Sequence, residues 1–293
     1  MIPTFFIVGM PRSGTTLLSF ILDAHTQIAV APETHYFTKF HDNITNPREI
    51  LEKFKSSKYA DNLMIDNWNN MNISTSAELF LSLLLSYSKY KSLKYVGEKT
   101  PAHFSHLEEI RRVIPSSKVI MILRDPVDIF NSLNKTPWGK TNLWRFYVRL
   151  RKYQNIVANA QKRNDDTVFV VKYEELLGSP VKIIKQITSF LEVDFQPKML
   201  EYHLSLQSRE VLRDSWKKKN STPLDRNNTH KWLTQNVRIK EKIILELFID
   251  IYKSDYPELS ASIRKSLIYS ILIIITVKLP FELMYRLKTY LKN

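Results

Sequence analysis

The apolar run Phe5-Phe6-Ile7-Val8 leads into Gly9-Met10-Pro11-Arg12-Ser13-Gly14-Thr15-Thr16, and Thr15 to Ala24 then reads as a helix. Two of the chain's five glycines fall in this one turn. Backbone N–H groups at a helix start point outward, and the helix dipole favours an anion there. Ser13 and Gly14 are small enough to let a phosphate approach the backbone. Thr15 and Thr16 add hydroxyl donors, and Arg12 adds a planar cationic fork. The chemistry that fits Pro11, Arg12, Ser13, Gly14, Thr15 and Thr16 is the binding of a phosphate group.

The spacing follows the nucleotide-binding frame G-x-x-x-x-G-K-[ST], with Thr15 at the lysine position. A nucleoside triphosphatase needs that lysine on its β- and γ-phosphates, and no clear acidic metal partner is evident. The loop therefore suits a 5′-phosphate without a metal-bound triphosphate. A nucleotide kinase or NTPase is the alternative within this mechanism class. A nucleotide- or nucleic-acid-binding module without catalysis is the alternative outside it, although no recognised nucleic-acid motif appears.

The elements that must hold this turn alternate along the chain. Residues 4–9, 28–30, 94–97, 118–123 and 167–172 read as short strands. Residues 15–24, most of 48–94, 127–133, 173–177 and 180–191 read as helical. Such alternation predicts an α/β fold of three layers, P-loop-like, with a central mostly parallel sheet flanked by helices. The expected division is one domain over 1–260 and an apolar, basic helical tail over 261–293. Leu267 to Val277 carries no charge but falls short of the roughly 20 residues that span a bilayer. With Arg264, Lys265, Arg286 and Lys288 around it, segment 264–290 is expected either to pack on the domain or to lie on a membrane surface.

The net charge of +14 over 293 residues favours an anionic partner: nucleic acid, a polyanionic cofactor, an acidic acceptor or a membrane surface. With no cysteine, disulfides, thiolate metal sites and cysteine nucleophiles are excluded. Met1 to Thr4 has no positive region of the kind a signal peptide carries, so a cytoplasmic location is expected. The sequons at Asn43 and Asn72 carry little weight in so asparagine-rich a chain.

The segment Pro11–Thr16 resembles the 5′-phosphosulfate loop of sulfotransferases that use 3′-phosphoadenosine 5′-phosphosulfate (PAPS). Arg124-Asp125-Pro126, at the end of the apolar run Lys118–Leu123 and followed by Ser132, is similar to that family's 3′-phosphate motif. Arginine and serine there would grip a second phosphate by a fork and a hydroxyl. The resemblance covers roughly 4–235. It implies PAPS as donor, adenosine 3′,5′-bisphosphate (PAP) as product, no metal and a hydroxyl acceptor. Arg12 and the segment Glu98-Lys99-Thr100-Pro101 resemble the tyrosylprotein and carbohydrate branches.

Sulfuryl transfer needs a base, cations for the leaving group, and in-line orientation. Arg12 and Lys99 are the expected cations. Glu33, in Pro32-Glu33-Thr34-His35, stands where the tyrosylprotein and heparan branches place a glutamate base, with a pKa raised toward neutrality in a shielded pocket. His35 is the rival base or an orienting partner. His103 and His106 are further candidates, since the cytosolic branch uses a histidine. The polar loop 213–231 is expected to close over the nucleotide, with Lys217, Lys218, Lys219 and Arg226 for charge, Trp232 beside it for stacking, and Ser221 or Asn227 at the donor. Tyrosine in an acidic peptide, a sugar, a lipid headgroup and a small metabolite all stay open as acceptors.

Overall fold

Short runs of Phe, Ile and Val are buried on both faces only in a sheet covered by helices on each side. The computed structural model describes residues 2–41, 46–63, 65, 67–68, 71, 73–87, 92–206, 222–234, 238–257 and 274–290. In it β1 (Thr4–Gly9), β2 (Ile28–Ala31), β3 (Tyr95–Glu98), β4 (Lys118–Leu123) and β5 (Val168–Lys172) form one sheet in the order β2-β3-β1-β4-β5. Every pairing is parallel, so the expected mostly parallel sheet is parallel throughout these strands.

The described helices are α1 (Thr15–Asp23), α2 (Pro47–Lys55), α3 (Lys58–Asp61), α4 (Ser76–Tyr87), α5 (Leu107–Val113), α6 (Pro126–Asn134), α7 (Leu143–Lys162), α8 (Tyr173–Gly178), α9 (Pro180–Phe190), α10 (Tyr202–Leu206), α11 (Ile239–Leu247), α12 (Ile249–Asp255) and α13 (Leu279–Tyr290). The chain divides into two compact units, Met1–Leu123 with Ile156–Arg226, and Arg124–Asn155 with Asn227–Asn293. The boundary expected near 260 lies outside the described residues.

The first unit holds the sheet. Phe5, Ile7, Ile120 and Ile122 pack with Leu18 and Ile21 of α1, Leu176 of α8 and Ile184 and Ile187 of α9. Phe6 points the other way, stacked on Phe80 of α4 at 5.6 Å, with Phe37 and His103 meeting it edge-on. Alternate residues of one strand thus feed two cores, as the period of two requires. The chain winds to one side of β1 and then to the other. In such sheets ligands bind beyond the carboxyl ends of the strands at that reversal. The turns after β1, β2, β3 and β4 hold Arg12, Glu33, Lys99 and Arg124.

In the second unit Phe130 of α6 packs edge-on to Phe146 of α7 at 5.2 Å, and Phe146 meets Phe248 at 6.0 Å. Arg151 closes this cluster by pairing with Asp250 at 2.5 Å.

Gly14 is the backbone position on which the first turn depends. Its φ is +106°, and a Cβ built on it would lie 2.3 Å from Cδ2 of Tyr173. An L side chain there meets both left-handed strain and an aromatic ring. Gly14→Ala is therefore expected to lower unfolding stability by about 2–4 kcal/mol, read as a lower midpoint in urea denaturation. An unchanged midpoint would mean that the turn relaxes freely.

Candidate active site

The turn 9–14 bends sharply because two of its residues are left-handed, Arg12 at φ 72° and Gly14 at φ 106°. A non-glycine residue in that region costs free energy and persists only where its surroundings hold it. The Ser13 N–H donates to the Met10 carbonyl at 3.0 Å. Gly14 caps α1 without a side chain, and the first helical turn holds no acidic residue. The Ser13 hydroxyl oxygen is fully buried and has no hydrogen-bond partner among the described residues. A buried hydroxyl left in this way ordinarily marks a ligand or water partner. Uncapped helix start, left-handed turn and orphaned hydroxyl together fit a phosphate. Thr15 is buried, while Pro11 and Thr16 are half-buried.

Glu33, His35 and Lys99 come together. Lys99 Nζ donates to Glu33 Oε1 at 2.5 Å, and His35 Nε2 lies 3.2 Å from Glu33 Oε2. Lys99 is almost wholly buried, whereas Glu33 is 35% exposed, so one of its sides faces solvent. Thr38 holds the other ring nitrogen of His35 at 3.2 Å, and Tyr59 packs on its face at 4.6 Å. Burial pushes the Glu33 pKa up, but the Lys99 ammonium and the His35 hydrogen bond outweigh it and hold the carboxyl well below the usual range. The expected raised pKa is thus corrected: a lysine in contact reverses the effect of shielding.

One residue that sequence reasoning missed supports this group. Glu98 is fully buried at the end of β3. Its Oε1 accepts from the Thr34 N–H at 2.9 Å, the Thr34 hydroxyl at 2.9 Å and the Thr100 hydroxyl at 2.5 Å. Its Oε2 lies 3.0 Å from Nδ1 of His103, which is itself fully buried. His103 is therefore set against this carboxylate and closed to solvent. His106, half-buried, stands at the N-cap position of α5 without a side-chain capping bond.

Arg124 follows β4 directly, and the second unit contains it. Its guanidinium donates to the Asn228 carbonyl at 3.3 Å and lies 3.7 Å from Asp128. Ser132 is half-buried on α6. Asp125, fully buried, caps α6 by accepting from the Val127 and Asp128 N–H groups at 2.8 and 3.1 Å. Its other oxygen accepts from Trp232 Nε1 at 2.9 Å and meets His230 Nδ1 at 2.9 Å. Trp232, expected as a stacking surface, is instead 2% exposed and committed to Asp125. Burial and the neighbouring Asp125 charge push the Asp128 pKa up, against the pull of Arg124. Arg226 and Asn227 are exposed. Lys217, Lys218, Lys219, Ser221, Arg264, Lys265, Asn43 and Asn72 lie outside the described residues.

The sulfotransferase family model matches residues 3–197, two thirds of the chain. The chain belongs to the sulfotransferase family. An uncharacterized protein of Aquifex aeolicus (strain VF5) is 23% identical over 206 residues, which is 68% of this chain and 26% of that protein. Protein-tyrosine sulfotransferase A of Caenorhabditis elegans is 25% identical over 215 residues, 71% of this chain and 54% of that enzyme. The match thus spans about a quarter and about half of these relatives' lengths. Among solved structures, the sulfotransferase domain of the Synechococcus PCC 7002 olefin synthase superposes with TM-score 0.63 at 19% identity, covering 87% of this chain and 96% of that one. This likeness confirms the fold expected for a sulfotransferase.

The Glu33 pairing has a consequence for stability. A carboxyl whose folded pKa is depressed stabilises above its unfolded pKa, and that contribution is lost as pH falls toward the folded value. The stability difference between wild type and Glu33→Gln is thus expected to be full at neutral pH. It should shrink as pH drops below the ordinary glutamate value of 4.5. Denaturant unfolding of both proteins across that range checks this, and a difference independent of pH would disprove the pairing.

Proposed function

We propose that this chain transfers a sulfuryl group from PAPS to a hydroxyl acceptor, with Glu33 as base and Lys99 and Arg12 as the cations. PAPS supplies the group: the acceptor oxygen bonds to sulfur as sulfur's bond to the 5′-phosphate oxygen breaks, and the hydroxyl proton passes to a base. The carrying observation is the 2.5 Å contact between Lys99 and Glu33. It supports a site in which the cation for the leaving side and the base for the acceptor side start within one hydrogen bond of each other.

While Lys99 rests on Glu33, the carboxylate is too weak a base to take a proton efficiently. A base role requires Lys99 to turn toward an anion bound at the 9–16 loop, which would return Glu33 toward ordinary basicity. His35, held between Glu33 and Thr38, then orients the carboxylate and is not itself the base. Residues 11–16 are the proposed 5′-phosphosulfate grip, and Arg124 with Ser132 the proposed 3′-phosphate grip. For the acceptor we propose a tyrosyl hydroxyl in an acidic segment. The resemblance to an enzyme named for tyrosine and a net charge of +14 support it.

Calorimetric titration with PAP, with and without magnesium, tests the donor. Tight binding that needs no magnesium is expected. Arg124→Ala should weaken it about 10- to 100-fold, as removing a charge-assisted phosphate contact does. Tighter binding of ATP with magnesium would replace this reading with that of a nucleotide kinase.

A second observation supports peripheral membrane contact. Among the described residues no helix is long and apolar enough to cross a membrane. In α13, Phe281 and Tyr285 pack toward Tyr147 at 5.6 and 5.9 Å. Leu279, Leu283 and Leu287, one helical turn apart, are each more than half exposed. Arg286 and Lys288 give this helix the charge that an anionic surface attracts. The full chain is expected to sediment with phosphatidylserine vesicles, and the double variant Leu283→Asp, Leu287→Asp to stay in solution. Equal sedimentation of the two would exclude this contact.

A further inference from the structure

We infer that Glu98 is a positioning residue that sets the geometry between Glu33 and Lys99. This rests on the reading of those two as the reacting groups. The Glu98 carboxylate bonds to neither of their side chains. It holds the residue after each: Thr34 follows Glu33, and Thr100 follows Lys99. Thr34 is held at two points, its N–H and its hydroxyl, so both the backbone and the side chain are fixed. The Thr100 hydroxyl donates to Glu98 and accepts the N–H of His35 at 3.1 Å. A single carboxylate oxygen thus determines where the strand-end segments carrying Glu33, His35 and Lys99 lie relative to one another.

The sheet register agrees with this role. Ala31 of β2 pairs with Glu98 of β3, so the carboxylate stands where the two segments leave the sheet. A charge at a fully buried strand end is costly compared with an apolar side chain of similar volume. Packing alone would be met by leucine or methionine. Glu98 is held from behind by His103, whose ring is walled by Phe6 at 6.1 Å and Phe37 at 5.5 Å. The carboxylate therefore has little room to rotate, and it passes that fixity on to Thr34 and Thr100.

The test follows PAP release from PAPS with an acidic tyrosine peptide as acceptor, beside PAP affinity by calorimetry. Glu98→Gln keeps the shape and an acceptor oxygen, and is expected to lower kcat about 100-fold, the effect of misplacing reacting groups by an ångström. PAP affinity should stay unchanged. Thr100→Val removes one hydroxyl and should lower kcat in the same way. The double variant should be no slower than the slower single variant, because both act through one linkage. Wild-type kcat in Glu98→Gln, kcat and PAP affinity falling together, or losses that multiply in the double variant would each overturn the inference. Full activity in Glu33→Gln, or no release by the wild type, would overturn the site reading and this inference with it.

Discussion

A buried ammonium needs an anion, and Lys99 has Glu33. Much of the site is arranged around that requirement. β3 delivers Lys99 at its carboxyl end, where the next strand over delivers Glu33, and the parallel register sets Ala31 level with Glu98. The pair lies 66 residues apart in sequence, so only the sheet brings it together. In the free protein the two charges satisfy each other. In the proposed mechanism the carboxylate stays a weak base until an anion draws the lysine away.

The second unit shows the same economy around Asp125. One oxygen starts helix α6 and the other takes the indole N–H of Trp232 and a ring nitrogen of His230. Asp128, three residues on, accepts the His230 N–H at 2.8 Å. The segment 228–232 is thereby fixed to the start of the helix that follows Arg124. Glu98, the last residue of β3, and Asp125, two residues past β4, are both fully buried, and each joins distant pieces of chain. Neither touches the atoms proposed to react.

What was legible in the sequence were features whose cause is local. The strands are continuous apolar runs, Gly14 marks a left-handed position, and Arg-Asp-Pro combines a strand end, a capping aspartate and a proline at the first helical position. Helix α7 was also there to be read, since Phe146, Tyr147, Leu150, Tyr153 and Val157 recur at helical spacing. The arginines and lysines between them obscured it. Glu98 was not legible, because in Glu-Lys-Thr-Pro the lysine carries the motif and the partner of Glu98, Thr34, is 64 residues away. Trp232 failed for the same reason: its partner Asp125 lies 107 residues back, and a tryptophan beside a basic loop invites a ligand reading.

The departure from the triphosphate frame follows from charge. A loop that carries lysine at the first helical position faces the β- and γ-phosphates of a metal-bound triphosphate. Thr15 in that place is 3% exposed and brings no charge. In the proposed mechanism the cations are instead Arg12, within the turn, and Lys99, at the neighbouring strand end. A sulfuryl group carries less negative charge than a terminal phosphate, so two side-chain cations suit it where a phosphoryl group calls for a lysine and a metal ion. Lys99, one residue past β3, meets Glu33, two residues past β2, because β2 and β3 are neighbours in the sheet.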